Sequence, residues 1–364
     1  MCGNPINEPD RGSWLPEEVL VLVFRQLDRS SLQQVVLVCR AWRQAGEDPA
    51  LWAGAGLTIT PTSLPQQLAS RRVARAARLT LAGGYYGWRE PRLVDQLLQQ
   101  AGRLGGLCRL EGLDQLQLAG ADPVLLQQLL NRLERVELRV RGRDSQQDIG
   151  AVLAAVQPGT ALASLACSHN CLTALNPELL ADLTRVAAVD LTGTQLTASQ
   201  LSALLGRVAG GAAALTSLSL AECDLAGVEA ELLGRAAACL VRLDICGGFC
   251  PHTAACIALS PRQAAQLFTQ IAGPTSRLAV LDIGEKDLSR VEPVVLAAGV
   301  AGLQVAYLMK TKLTATQLTA ILARALEFPH LRALNCTYNP DCGAIDIDLV
   351  SQARENGINL IMPK

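Results

Sequence analysis

Soft and imidazole ligands fall close together once in this sequence. Residues 246–256 read C-G-G-F-C-P-H-T-A-A-C, so Cys246, Cys250, His252 and Cys256 offer three thiols and an imidazole. Zinc takes such a donor set. The spacing C-x3-C-x-H-x3-C departs from that of a structural zinc finger. The plainer reading is a loop in a cysteine-rich chain, with Cys246 ending a strand, and on that reading no cofactor is expected. Acid–base chemistry finds little support. The three histidines are His169, His252 and His330, and no H-E-x-x-H, G-x-S-x-G or Walker sequence occurs. Carboxylates are plentiful, but acids alone define no reaction, so a catalytic site is not expected.

What would position such residues is a repeat. From residue 162 the pattern L-x-x-L-x-L-x-x-N-x-L recurs, first as Leu162, Leu165, Cys167, Asn170 and Leu172. It returns as Val186, Val189, Leu191, Thr194, Leu196 and as Leu215, Leu218, Leu220, Cys223, Leu225. Further copies begin at Leu240, Leu278, Leu303 and Leu331, and fainter ones lie at Leu57, Leu79, Leu116 and Val136. An alternating L-x-L pair makes a short strand with one buried face. Segments such as TASQLSALLGRVAG and TATQLTAILARALEF then read as helices, capped by Thr197 or Ser199 and by Thr314 or Thr316. One such unit cannot bury its apolar face, but a stack shares a core. Ten or eleven copies spaced mostly 20–29 residues apart resemble leucine-rich repeats over about 57–360. The resemblance implies that Asn170, Thr194, Cys223, Thr311 and Asn339 bond the backbone where the chain leaves each strand. Two longer intervals, near 82–112 and 246–277, read as insertions in loops.

Composition agrees with thin layers. Half of the 364 residues are apolar but only 3% are aromatic, so Leu, Ala and Val must supply the core. A net charge of −1 argues against bulk attraction to nucleic acid or an anionic membrane. Twelve scattered Cys, with no charged-then-apolar leader and no apolar run of about 18 residues, point to a reducing compartment, cytoplasmic and/or nuclear.

The N-terminal end is different. After a flexible stretch at 1–12, residues 13–56 read as short amphipathic helices. Pro16 suits a first helical turn, Glu17 and Glu18 complement its dipole, and Val19, Leu20, Val23, Phe24 and Leu27 keep helical spacing. Leu15-Pro16-x-Glu18, Phe24, Leu27, Leu32, Val35, Val38-Cys39, Trp42-Arg43 and Asp48-Pro49-x-Leu51-Trp52 closely resemble an F-box. The resemblance implies docking onto the Skp-type adaptor of a cullin–RING (SCF-type) ubiquitin ligase. It nominates Leu15, Pro16, Val19, Leu20, Phe24, Leu32, Val35, Val38 and Trp42 as adaptor-binding, without separating contact residues from core residues.

The expected fold class is therefore α/β. A small all-α module precedes a solenoid with parallel strands on the concave side and helices on the convex side, ending in a tail at 361–364. Residues flanking the buried strand position face the concave surface. Arg78, Arg135 and Arg139 lie there early; Asp190, Asp244 and Asp282 follow; Tyr307, Met309, Lys310, Asn335 and Tyr338 come last. These are the expected target-binding residues of a non-catalytic substrate receptor whose partners are the adaptor, the cullin scaffold and a target protein. The competing expectation is a leucine-rich-repeat scaffold or inhibitor with no ubiquitin role.

Overall fold

A computed structural model describes residues 15–52, 56–64, 78–82, 88, 90–101, 107, 109–111, 116, 118–138, 145–156, 162–211, 213–247, 259–339 and 345–362. The chain divides into two compact units, Met1–Arg135 and Val136–Lys364.

The first unit opens with three short helices, α1 (Glu17–Phe24), α2 (Arg29–Val35) and α3 (Arg40–Gly46). Pro16 stands just outside α1 as its N-cap rather than within it, and its carbonyl accepts from the Val19 and Leu20 amides. Asp28 starts α2 by accepting from the Ser31 N–H at 2.9 Å, and bonds from Ser30 and Ser31 hold its carboxyl below the usual carboxylate range. The Cys39 thiol starts α3 by accepting from the Trp42 N–H. Leu20, Val21, Phe24, Leu32, Val35, Val36, Ala45 and Trp52 form one core, and Trp42 meets Phe24 edge-on at 5.3 Å. Gly46 permits this packing, because a Cβ there would lie 2.8 Å from the Val36 Cγ1.

Strands β1 (Gly56–Ile59), β2 (Arg78–Leu81) and β3 (Arg109–Glu111) follow in parallel, with Leu79 opposite Leu57 and Leu110. The first long interval is thus no loop insertion. It holds the helix α4 (Pro91–Ala101), which buries Val94, Leu97 and Leu98, and then a further strand. Leu116 and Leu118 are buried as expected, but Leu118 lies in a 3-10 turn after β3 rather than in a strand. Helix α5 (Pro123–Leu130) is capped by Asp122. Strand β4 (Arg135–Glu137) stands at the unit boundary.

In the second unit, β5 (Ser164–Ala166), β6 (Ala188–Asp190), β7 (Ser217–Ser219), β8 (Arg242–Asp244), β9 (Val280–Asp282), β10 (Val305–Tyr307), β11 (Ala333–Asn335) and β12 (Asn359–Ile361) pair in sequence order, all parallel. The middle residue of each strand is buried. Helices α6 (Ser145–Ala155), α7 (Pro177–Ala181), α8 (Ala198–Ala209), α9 (Ala230–Cys239), α10 (Pro261–Ile271), α11 (Pro293–Ala301), α12 (Ala315–Glu327) and α13 (Ile347–Glu355) flank them. Helix α10 lies inside the second long interval, and β8 still pairs directly with β9.

Two polar ladders tie the layers. Thr197, Ser260 and Thr314 cap α8, α10 and α12 in boxes with Gln200, Gln263 and Gln317. Each glutamine is buried and also donates backwards: Gln317 Nε2 reaches the Leu288 and Val291 carbonyls at 2.8 and 2.7 Å. Gln200 and Gln263 do the same to Leu172 with Leu175 and to Leu225 with Val228. The second ladder holds Asn170, Thr194, Cys223, Thr311 and Asn339. Asn339 Nδ2 donates to the Leu308 and Cys336 carbonyls, and its Oδ1 accepts from the Leu313 N–H. Lys286 holds the same place in its repeat, 1% exposed.

Candidate protein-binding surfaces

The helical module sorts its apolar residues into two sets. Of the nominated adaptor-binding residues, Leu20, Phe24, Leu32 and Val35 are core, Phe24 at only 1% exposure. Trp42 is partly buried against them. Leu15, Pro16, Val19 and Val38 face outward, Val38 at 60% exposure. Three exposed residues join them that were not nominated: Leu22, Val23 and Leu37. Positions 19, 22 and 23 share one face of α1, so helical spacing carried that signal. Beside Val38 lies an apolar hollow of about 560 Å³, lined by Val23, Phe24, Leu27, Val35 and Trp42 among others.

The strand face of the second unit is a polar row. The last residues of β6 to β11 align in register as Asp190, Ser219, Asp244, Asp282, Tyr307 and Asn335. All are partly exposed, as expected for residues beside the buried strand position. Several also have a local duty. Asp190 Oδ1 accepts from the Thr192 N–H, Asp244 Oδ1 from Cys246, Asp282 Oδ1 from Gly284 and Asn335 Oδ1 from Thr337. Each therefore closes the turn that leaves its strand. Three residues further on, the backbone is left-handed at His169, Gly193, Glu222, Glu285, Lys310 and Tyr338. Glycine suits position 193, because a Cβ there would meet the His169 Nδ1 at 2.7 Å.

Lys310 pairs with Glu285 at 2.8 Å and lies 5.8 Å from the centre of the Tyr338 ring, which is 72% exposed. Met309 is partly buried beside it. A shallow hollow of about 270 Å³ lies over β5–β8, lined by Asp190, Thr192, Ser219, Arg242 and Asp244 among others. Arg78 and Arg135 are exposed on the first unit; Arg139 lies outside the described residues.

Of the candidate zinc ligands, only Cys246 is described; Cys250, His252 and Cys256 lie outside the described residues. Cys246 stands with Asp244 and Asp282, their ligand atoms all within 4.8 Å of one another. Burial, reinforced by Asp244 and Asp282, pushes the Cys246 thiol above its ordinary value, so it stays protonated at neutral pH. Burial likewise lowers the neighbouring Lys286 ammonium to about 8, partly offset by Cys246 and Cys223.

Residues 13–55 match the F-box-like family model. This chain carries an F-box-like domain followed by a leucine-rich-repeat solenoid. The F-box-like domain is thus the three-helix module, and its outward apolar residues lie apart from its core. A leucine-rich-repeat protein of Legionella pneumophila, LegL7, is similar over 83% of this chain and 97% of its own, at 16% identity and a TM-score of 0.47. An internalin of Listeria monocytogenes is similar over 96% and 94%, at 13% identity and a TM-score of 0.44. No curated protein matches the chain in sequence. Among the described residues, no helix is long and apolar enough to cross a membrane.

Proposed function

We propose that this chain is a non-catalytic recognition subunit with two protein-binding surfaces. The F-box-like domain docks a Skp-type adaptor and, through it, the cullin scaffold of a ubiquitin ligase. The strand face of the solenoid holds the protein to be modified. The contribution is proximity, since tethering raises the effective concentration of target lysines near the ubiquitin carrier. One observation carries this reading. A module of about forty residues keeps its own core yet leaves Leu15, Val19, Leu22, Val23, Leu37 and Val38 exposed. Buried in an interface, one such side chain is worth about 1.5–3 kcal/mol.

Co-purification from cells tests it. Wild type should bring down adaptor and cullin, and Leu15→Asp with Val38→Asp should lose both while keeping its melting temperature. Retention of adaptor by the double variant would contradict the reading.

A second reading is a repeat scaffold or inhibitor with no ubiquitin role. It is favoured by what the matches cover, an F-box-like module and the repeat fold, neither of which specifies an adaptor. Well-expressed wild type that captures other proteins and no adaptor would select it.

A further inference from the structure

One row of the strand face changes character along its length. The residues ending β8 to β12 align as Asp244, Asp282, Tyr307, Asn335 and Ile361. The row begins with two carboxylates and ends with an isoleucine that is 44% exposed. Beside it, the first residues of β9, β10 and β11 are the shorter Val280, Val305 and Ala333, so a bound chain can approach the sheet closely.

At the carboxylate end the nearby cation is Arg242, which makes no ion pair there. Asp244 and Asp282 stand on adjacent strands with oxygens within 4.8 Å of each other. Burial pushes the Asp282 carboxyl above the usual range, and Asp244 adds to it while Gly284 and Arg242 pull it back. Among the described residues, no cation lies within ion-pair distance of either carboxylate. Lys310 and Lys312 are engaged by Glu285 and Asp287. The other end carries Tyr307, a residue type that concentrates binding energy at interfaces, and beyond it Asn335 and the exposed Ile361.

We propose that this row takes an extended segment of a partner protein, with a Lys or Arg side chain between Asp244 and Asp282 and an apolar side chain against Ile361 at the far end. Strands lie about 4.8 Å apart, so the two contacts are roughly 17 Å apart, about five residues of extended chain. The inference rests on the reading above only in making this segment part of the ligase target.

The test pans a random dodecapeptide library on the full chain, then titrates an enriched peptide by fluorescence anisotropy. Enriched peptides should carry a basic residue about five positions from an apolar one. Asp244→Asn with Asp282→Asn keeps the turns, because Asn335 already closes the same turn in β11. That variant should bind about tenfold more weakly and lose its salt dependence. Ile361→Ser should lose the apolar preference alone. Melting curves confirm that both variants are folded. Acidic peptides, no enrichment, enrichment only with added divalent metal, or wild-type binding by both variants would overturn the proposal. Adaptor binding, measured on the same preparations, separates the two claims. Peptide selection without adaptor binding removes the ligase role and leaves this surface; adaptor binding without selection does the reverse.

Discussion

Lys286 stands where Asn170, Thr194, Cys223, Thr311 and Asn339 stand in other repeats, and it is as buried as they are. A buried ammonium is costly, and its ionisation is depressed from 10.5 to about 8. Between those values the unfolded chain holds a proton that the folded chain has released. Stability from this group therefore rises with pH across that window, and the penalty is full below it. Lys286→Met carries no such group, so wild type should gain stability on the variant as pH rises from about 8 to 10.5. Urea melts of both proteins across this range check it, and a stability gap that ignores pH would refute it. The repeat spacing fixes this position in sequence, but Lys is not a residue type expected there. Its burial follows from the layers above and below, which no single repeat reveals. The Asp residues of the strand face were legible as outward-facing. Their turn-closing bonds to residues two positions on were not foreseen, because strand alternation reports direction and not local bonding.

At the scale of elements, the capping threonines Thr197 and Thr314 were readable from residue type, as one of two choices in each helix. The partner glutamines were not. Their second bonds reach carbonyls more than twenty residues upstream, beyond any local pattern. Gln317→Glu keeps the box but replaces the donating amide with acceptors facing the Leu288 and Val291 carbonyls. It should cost about 3 kcal/mol, whereas Thr314→Ala should cost about 1 kcal/mol. Equal losses in a denaturant melt would show that the glutamine acts only as a cap. The misplaced strand near Leu116 has a related cause. Leu107, Leu110, Leu116 and Leu118 are all buried, so apolar spacing alone did not distinguish the strand at Arg109–Glu111 from the turn after it.

For the whole molecule, recurrence made the architecture legible: among the described residues, β2 to β12 each bury an inner residue, a pattern that a weak single copy does not establish. The division of the F-box-like domain into core and exposed sets was not legible, because both sets are apolar and helical spacing serves each. Only packing shows that Phe24 faces Trp42 while Val38 faces solvent. Two surfaces that share no residues, each on its own compact unit, should fail separately, since independent sites add in their effects. The direct measurement is calorimetric titration of a purified Skp-type adaptor into wild type, Leu15→Asp/Val38→Asp and Asp244→Asn/Asp282→Asn, all full length and folded. Wild type and the strand-face variant should bind with the same affinity, and the F-box variant should give no heat. No binding by wild type, or undiminished binding by the F-box variant, would contradict the account.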